Sequence, residues 1–273
     1  MKDYIVDALP KMTFNEIPEE YDNLRPQYTD ALYSDVIEFS SLDKTKNALE
    51  IGIGTGQATV PFLNTGCELT AIEIGDKLSK YTKEKFNEYN RLNVINQDFE
   101  AVSLIEGSYD LIYSATAFHW IPPEIGMPKV FRFLKNSGVF AWFSVMPTPS
   151  KEEIYNELQK VYAEYVHHFK GEKPDFDRHQ EAQKTQQNRV NLFNEYRFTE
   201  ITDRLYYDSR TLGAKDYAKL CSTYSDHIAI PKEDRMQLLQ KIEDAINRHG
   251  GEITIIDTYL LCMGKKRKED APR

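Results

Sequence analysis

The stretch Ala48 Leu49 Glu50 Ile51 Gly52 Ile53 Gly54 Thr55 Gly56 Gln57 Ala58 Thr59 decides how the rest of the chain is read. A short apolar run ends in an acid, three glycines alternate, and a helix-compatible segment follows. Glycine is needed where backbone turns with positive φ or approaches a ligand closely, and the amides at the start of a following helix attract negative charge. The stretch therefore predicts a strand, a tight turn and a helix, with a ligand cradle at the turn. A plain strand-to-helix turn is the alternative. The spacing Gly52, Gly54, Gly56 puts Gln57 where a dinucleotide fingerprint has its third glycine, which disfavours NAD and FAD.

Outward from this turn, apolar runs alternate with amphipathic stretches, as strands alternate with helices around a parallel sheet. The predicted strands are 48–51, 68–72, 93–96, 109–113 and 139–143. Between the second and third, Leu78, Tyr81, Phe86 and Tyr89 fall at helical spacing and predict a crossover helix. Glu73 ends the second strand, where a carboxylate can accept both hydroxyls of a ribose. Asp98 and Phe99 follow the third, where an acid can accept from an adenine amino group and an aromatic can cover the ring. Suitable groups at the carboxyl ends of successive strands lie on the edge where open α/β sheets bind ligands.

The second half changes character. Ser150 and Glu153 read as a capping box opening a helix lined by Ile154, Leu158, Val161, Tyr162 and Tyr165. A polar stretch over 171–189 reads as surface loop and helix, 198–207 as a strand, and the region of Tyr217 as a helix. Pro231 opens a helix carrying Met236, Leu239, Ile242 and Ile246, which stops at Gly250 and Gly251. A last strand spans 253–263, and a charged tail follows.

Composition narrows the function. The 273 residues are 41% hydrophobic and 28% charged, enough for a large core and too apolar for a disordered chain. Lys and Arg number 34 against 43 Asp and Glu, and the net charge of -9 gives no general attraction to nucleic acid or to an anionic membrane. Cys67, Cys221 and Cys262 are odd in number and widely spaced, which fits a reducing compartment, the cytoplasm, rather than a disulfide framework. The first residues lack the apolar stretch of a secretion signal. The most apolar segment, 139–146, is far short of the roughly 20 residues that span a bilayer. His167 and His168, neighbours on a predicted helix, should point about 100° apart and make a poor metal pair, so no metal is expected.

Taken together, these motifs resemble those of the class I S-adenosylmethionine-dependent methyltransferases. Glu50-x-Gly52-x-Gly54-x-Gly56 resembles that family's first motif, Glu73 its second and Asp98 its third. The run Tyr109 to Trp120 (YDLIYSATAFHW) is similar to the fourth-strand motif of a branch acting on small molecules, which includes trans-aconitate methyltransferases and uncharacterised bacterial proteins. Leu134 to Gly138 resembles that branch's turn into the fifth strand, with Asn136 where proline is usual. Tyr21 to Tyr28 and Thr223 to His227 resemble its other segments.

The resemblance implies a Rossmann-like α/β fold: a seven-stranded, mostly parallel sheet, last strand antiparallel, with helices on both faces. It implies one methyltransferase domain over 1–273, with a cofactor-binding core at 36–146. Segments 150–196 and 211–248 become helical lid insertions over the cleft, and 198–207 and 253–263 complete the sheet. It implies S-adenosyl-L-methionine as cofactor, with Gly52, Gly54 and Gly56 under its methionyl part and Gln57 and Ser114 nearby. Glu50 would orient the loop or receive the ammonium group through water, Glu73 would meet the ribose, and Asp98 the adenine amino group. Ile74 and Phe99 would sandwich the adenine, and Arg25 would meet the carboxylate. His119 is the candidate catalytic base; Trp120, Tyr224 and His227 are candidate substrate contacts. The expected activity is methyl transfer to an oxygen, nitrogen or carbon of a small molecule by a monomer or homodimer. A non-catalytic S-adenosylmethionine-binding protein of the same fold is the alternative, and an NAD-dependent oxidoreductase is a more distant one.

Overall fold

The computed structural model describes residue 22, residues 24–169 and residues 178–267. Tyr21, much of the polar stretch after Gly171 and the last residues of the charged tail lie outside the described residues. The strands are β1 (Asn47–Ile51), β2 (Glu68–Glu73), β3 (Leu92–Asn96), β4 (Tyr109–Ala115), β5 (Leu134–Pro149), β6 (Phe198–Gly213) and β7 (Glu252–Lys266). The helices are α1 (Asp30–Ser40), α2 (Thr59–Leu63), α3 (Asp76–Lys85), α4 (Pro123–Phe133), α5 (Glu152–Glu164), α6 (Arg178–Glu195), α7 (Ala214–Ser222), α8 (Ser225–Ile228) and α9 (Lys232–Arg248).

One seven-stranded sheet runs in the order β3-β2-β1-β4-β5-β7-β6. β1 pairs in parallel with β2 and β4, and the parallel set extends to β3 on one side and β5 on the other. β7 inserts antiparallel between β5 and β6. After β3 the chain returns to the far side of β1, so the order reverses there and a crevice opens beyond the carboxyl ends of β1 and β4. The sheet is the Rossmann-like one expected.

Each face has its own core. Leu32, Tyr33 and Val36 of α1 and Phe62 of α2 pack on Ala48, Leu111, Tyr113, Ala141 and Phe143. On the other face Met127, Val130 and Phe133 of α4 pack on Leu49, Ile51, Ile112 and Phe140. Alternate residues of β4 and β5 thus serve opposite layers, as the period of two along a strand requires. A third cluster joins α5, α7 and α9 to Ile253 and Ile255 of β7. Ile255 pairs with Pro149 at the end of β5, which places this helical unit at the same sheet edge as the crevice.

Helix α6 is placed differently from the lid expected over 150–196. Phe193 is fully buried and stacks on Phe140 with ring centroids 5.2 Å apart and planes 8° from parallel. Gln186 donates to the carbonyls of Leu261 and Arg204. The helix covers the face of β5, β7 and β6, because those long strands expose apolar surface that α4 does not reach. The capping box also differs. Ser150 N bonds the Thr254 carbonyl as part of the strand ladder, and α5 begins after Lys151 with no side-chain cap. Met236, expected on the apolar line of α9, is 60% exposed. Replacing Phe193 with Ala should cost about 3 to 5 kcal/mol in urea unfolding, the scale for deleting a buried aromatic; a merely superficial helix would show almost no loss.

Candidate functional site

The crevice is a cleft of about 1100 Å³, counted to its open mouth. The glycine turn forms its floor. Gly52, Gly54 and Gly56 all have positive φ, at 74°, 56° and 86°. A methyl group added at Gly52 would stand 2.5 Å from the Ala117 Cβ, and one at Gly56 2.3 Å from the Phe86 ring. The ends of β1 and β4 can therefore approach only because residue 52 has no side chain, and the turn can seat on Phe86 only because residue 56 has none.

Two buried acids face this floor. Glu73, 5% exposed, accepts from Gly54 N at 2.9 Å through Oε2 and from Gly75 N at 2.8 Å through Oε1. Burial pushes its carboxyl above the ordinary range, and those backbone bonds oppose the shift. Glu50, 1% exposed, accepts from Thr59 Oγ1 and Tyr113 Oη, each at 2.8 Å, both on Oε2. Burial raises it to about 8 against the pull of these two hydroxyls.

The walls come from all four strand ends and from the N-terminal segment. Ile74, Gln97, Asp98 and Phe99 line one side. Asp98 Oδ1 accepts from Glu100 N at 2.9 Å, and Phe99 is buried with its ring edge-on to Phe133. Arg25, Tyr28, Thr116, Ala117 and Trp120 line the other side. Tyr28 Oη and Thr116 Oγ1 lie 2.6 Å apart. Thr116 has φ 53°, a costly conformation for a β-branched residue, held by its N–H bond to the Phe143 carbonyl and by Tyr28.

The N-terminal segment is tied to the glycine turn by Asp22. Its carboxylate accepts from Lys85 Nζ at 2.6 and 2.8 Å, from Tyr81 Oη at 2.9 Å and from Gln57 Nε2 at 3.3 Å. Sequence reading missed Asp22, Tyr81, Lys85, Tyr28 and Thr116. No spacing rule links residues 59 and 63 positions apart in the chain, and the positive φ of Thr116 has no signature in residue type.

Of the expected site residues, Arg25, Glu50, Gly52, Gly54, Gln57, Glu73, Ile74, Asp98, Phe99 and Trp120 line the cleft. The others stand elsewhere. Gly56 meets Phe86, and the buried Ser114 donates from Oγ to the Ile51 carbonyl, bracing β4 on β1. His119 sits in the 3-10 turn Phe118–Trp120, whose pitch sends Trp120 to the cleft and leaves His119 exposed outside it. The protein packed around its ring and the charge of Arg189 hold the imidazole below its ordinary value. Tyr224 lies under the Arg25 guanidinium, 4.6 Å from ring centroid to carbon, and Arg25 Nη2 donates to the Thr223 carbonyl at 2.7 Å. His227 is buried in the helical unit, bonded to Tyr162 Oη at 3.1 Å and Asp226 Oδ1 at 2.7 Å. Both are one layer behind the cleft wall. His167 and His168 also depart from expectation: they occupy a 3-10 turn, Val166–His168, and their rings approach to 4.0 Å.

Residues 49–142 match the methyltransferase domain family. An uncharacterized methyltransferase of Schizosaccharomyces pombe is 22% identical over 238 residues, 86% of this chain and 87% of that protein. A probable S-adenosylmethionine-dependent methyltransferase of Saccharomyces cerevisiae is 29% identical over 147 residues, 51% of this chain and 50% of that protein. Among solved structures, a protein of Anaeromyxobacter dehalogenans provisionally described as a type II methyltransferase superposes with a TM-score of 0.63 at 17% identity, covering 90% of this chain and 99% of that one. The domain match over residues 49–142, the methyltransferase relatives and the sheet order all liken the chain to the class I S-adenosylmethionine-dependent methyltransferases. Among the described residues no helix is long and apolar enough to cross a membrane.

Two outcomes test this geometry. Gly56→Ala should destabilise the protein by about 1 to 3 kcal/mol, since the new methyl overlaps Phe86 in a backbone conformation that disfavours any side chain. Thermal or urea unfolding measures it. The second concerns pH. Folded Glu50 keeps its proton up to about pH 8, whereas the unfolded chain releases it near 4.5. Its contribution to stability is complete below pH 4.5 and is lost as pH rises to about 8. Urea midpoints of Glu50→Gln relative to the parent should therefore rise steadily between pH 5 and 8, and a flat difference would contradict the assignment.

Proposed function

We propose that the protein transfers the methyl group of S-adenosylmethionine to a small-molecule acceptor, in the cleft at the carboxyl ends of β1 to β4. The observation that carries this reading is the pairing of a glycine floor open to close approach with two buried carboxylates, Glu50 and Glu73, on one cleft. That donor set fits the cofactor. Glu73 takes the ribose hydroxyls, Asp98 the adenine amino group, and Ile74 and Phe99 the adenine faces. Gly52 and Gly54 lie under the methionyl part, with Gly56 and Gln57 shaping the turn. Glu50 takes the ammonium group through its carboxyl, and Arg25 the carboxylate.

The cofactor supplies an activated methyl on a sulfonium, so the protein's task is alignment and exclusion of water. Tyr28, Thr116 and Trp120 form the wall where an acceptor would approach. The helical unit of α5, α7 and α9 serves as the lid, with α6 belonging to the sheet, and Arg25 joins the lid to the cleft through Thr223. A cleft walled in this way, on a chain of net charge -9, favours a small acceptor over a polymer. His119 stands outside the wall, so the reading assigns it no proton transfer, and an acceptor that arrives ionised needs none.

Calorimetry with S-adenosylhomocysteine tests the cofactor site. Glu73→Ala should weaken binding by about 1 to 3 kcal/mol, the scale for losing a hydrogen-bonding partner of a buried polar group. Unchanged affinity would remove Glu73 from the site. His119→Ala should leave that affinity unaltered. Turnover against a panel of small carboxylates, phenols, amines and thiols then identifies the acceptor, and tight binding without turnover on any of them favours a non-catalytic binding protein.

A further inference from the structure

Outside the cleft, the described residues bring one set of metal-ligating side chains together: His167, His168 and Asp234, whose ligand atoms all lie within 4.8 Å of one another. The two histidines belong to the 3-10 turn that follows α5, and Asp234 to the first turn of α9. Their imidazole centroids are 4.0 Å apart, and His168 Nε2 lies 3.1 Å from Asp234 Oδ2. None of the three residues is buried, so water and ions reach them, and no residue of the turn contributes to the core.

Placed side by side, the two imidazoles can each offer a ring nitrogen to one ion beside the carboxylate. Two nitrogens and one carboxylate oxygen form the donor set of a zinc-type site with water in the open positions, and they favour zinc, cobalt or nickel over the all-oxygen ions magnesium and calcium. In the metal-free form the His168–Asp234 hydrogen bond holds two of the ligands near their places.

We propose that His167, His168 and Asp234 bind a transition-metal dication that fastens the turn after α5 to the start of α9. Those helices already pack on each other, and an ion pair of Lys241 with Glu164 joins them as well. The metal thus braces the helical unit beside the cleft, without entering it. Its binding is independent of the methyl-transfer reading.

The test is a titration of the untagged, metal-stripped full chain with cobalt chloride, followed by visible absorption, with zinc sulfate as competitor. One cobalt per chain should produce visible bands that zinc abolishes. His168→Ala and Asp234→Asn should each weaken binding at least about tenfold. Zinc should also raise the melting temperature of the parent and not of those variants, since a ligand stabilises only the form that binds it. Asp234→Asn keeps its side-chain volume, so it tests the site even if His168→Ala folds poorly. An absence of cobalt bands at up to about 100 µM metal, or bands that survive in Asp234→Asn at full affinity, would overturn the proposal.

Discussion

The whole cleft depends on how closely β1 and β4 can end side by side. At that point the Gly52 backbone lies against the Ala117 side chain, with room for hydrogen and no more. Any larger residue would push the ends of the two central strands apart, and the displacement would pass to both neighbours, because β1 is hydrogen-bonded to β2 as well as β4. Ser114, donating to the Ile51 carbonyl just before the turn, fixes the same junction from within the sheet. The shape of the cleft and the geometry of the sheet are therefore one constraint, since the gap at the strand ends is the gap that strand pairing leaves.

The acids around this junction have a double task. Glu73 is bonded by two backbone amides and so shapes the turn it would share with a ligand. Glu50 is held by Tyr113 and Thr59, which lie in the core layer on the α1 and α2 side of the sheet. Burying a carboxyl is costly unless it is hydrogen-bonded or keeps its proton, and Glu50 does both.

Much of this was legible in the chain. The parallel strands and the glycine turn stand out because apolar runs buried on both faces have no other reading. The antiparallel arm was underread: β5, expected to stop at Phe143, runs to Pro149, and β6, expected to stop at Tyr207, runs to Gly213. Their outer halves alternate weakly, since one side faces solvent and the other meets helices that are distant in sequence. For the site, residues on the strand ends were readable, because topology alone brings those ends together. His119, Tyr224 and His227 do not line the cleft: a 3-10 turn rotates adjacent residues differently from a strand or an α-helix, and the helical unit packs its aromatics inward on each other. Asp22 and Tyr28 act through contacts that sequence distance hides.

Three of the joints between the sheet and its helical unit are very short. Two residues separate β5 from α5, none separates β6 from α7, and three separate α9 from β7. At these three places the strands pass almost directly into the helices of the unit, as stiff roots. On the opposite wall one carboxylate, Asp22, secures the N-terminal segment to α3 and the glycine turn. That N-terminal wall is held at further points as well, by Tyr28 on Thr116 and by Arg25 on Thr223, so it ties the sheet to the helical unit across the cleft.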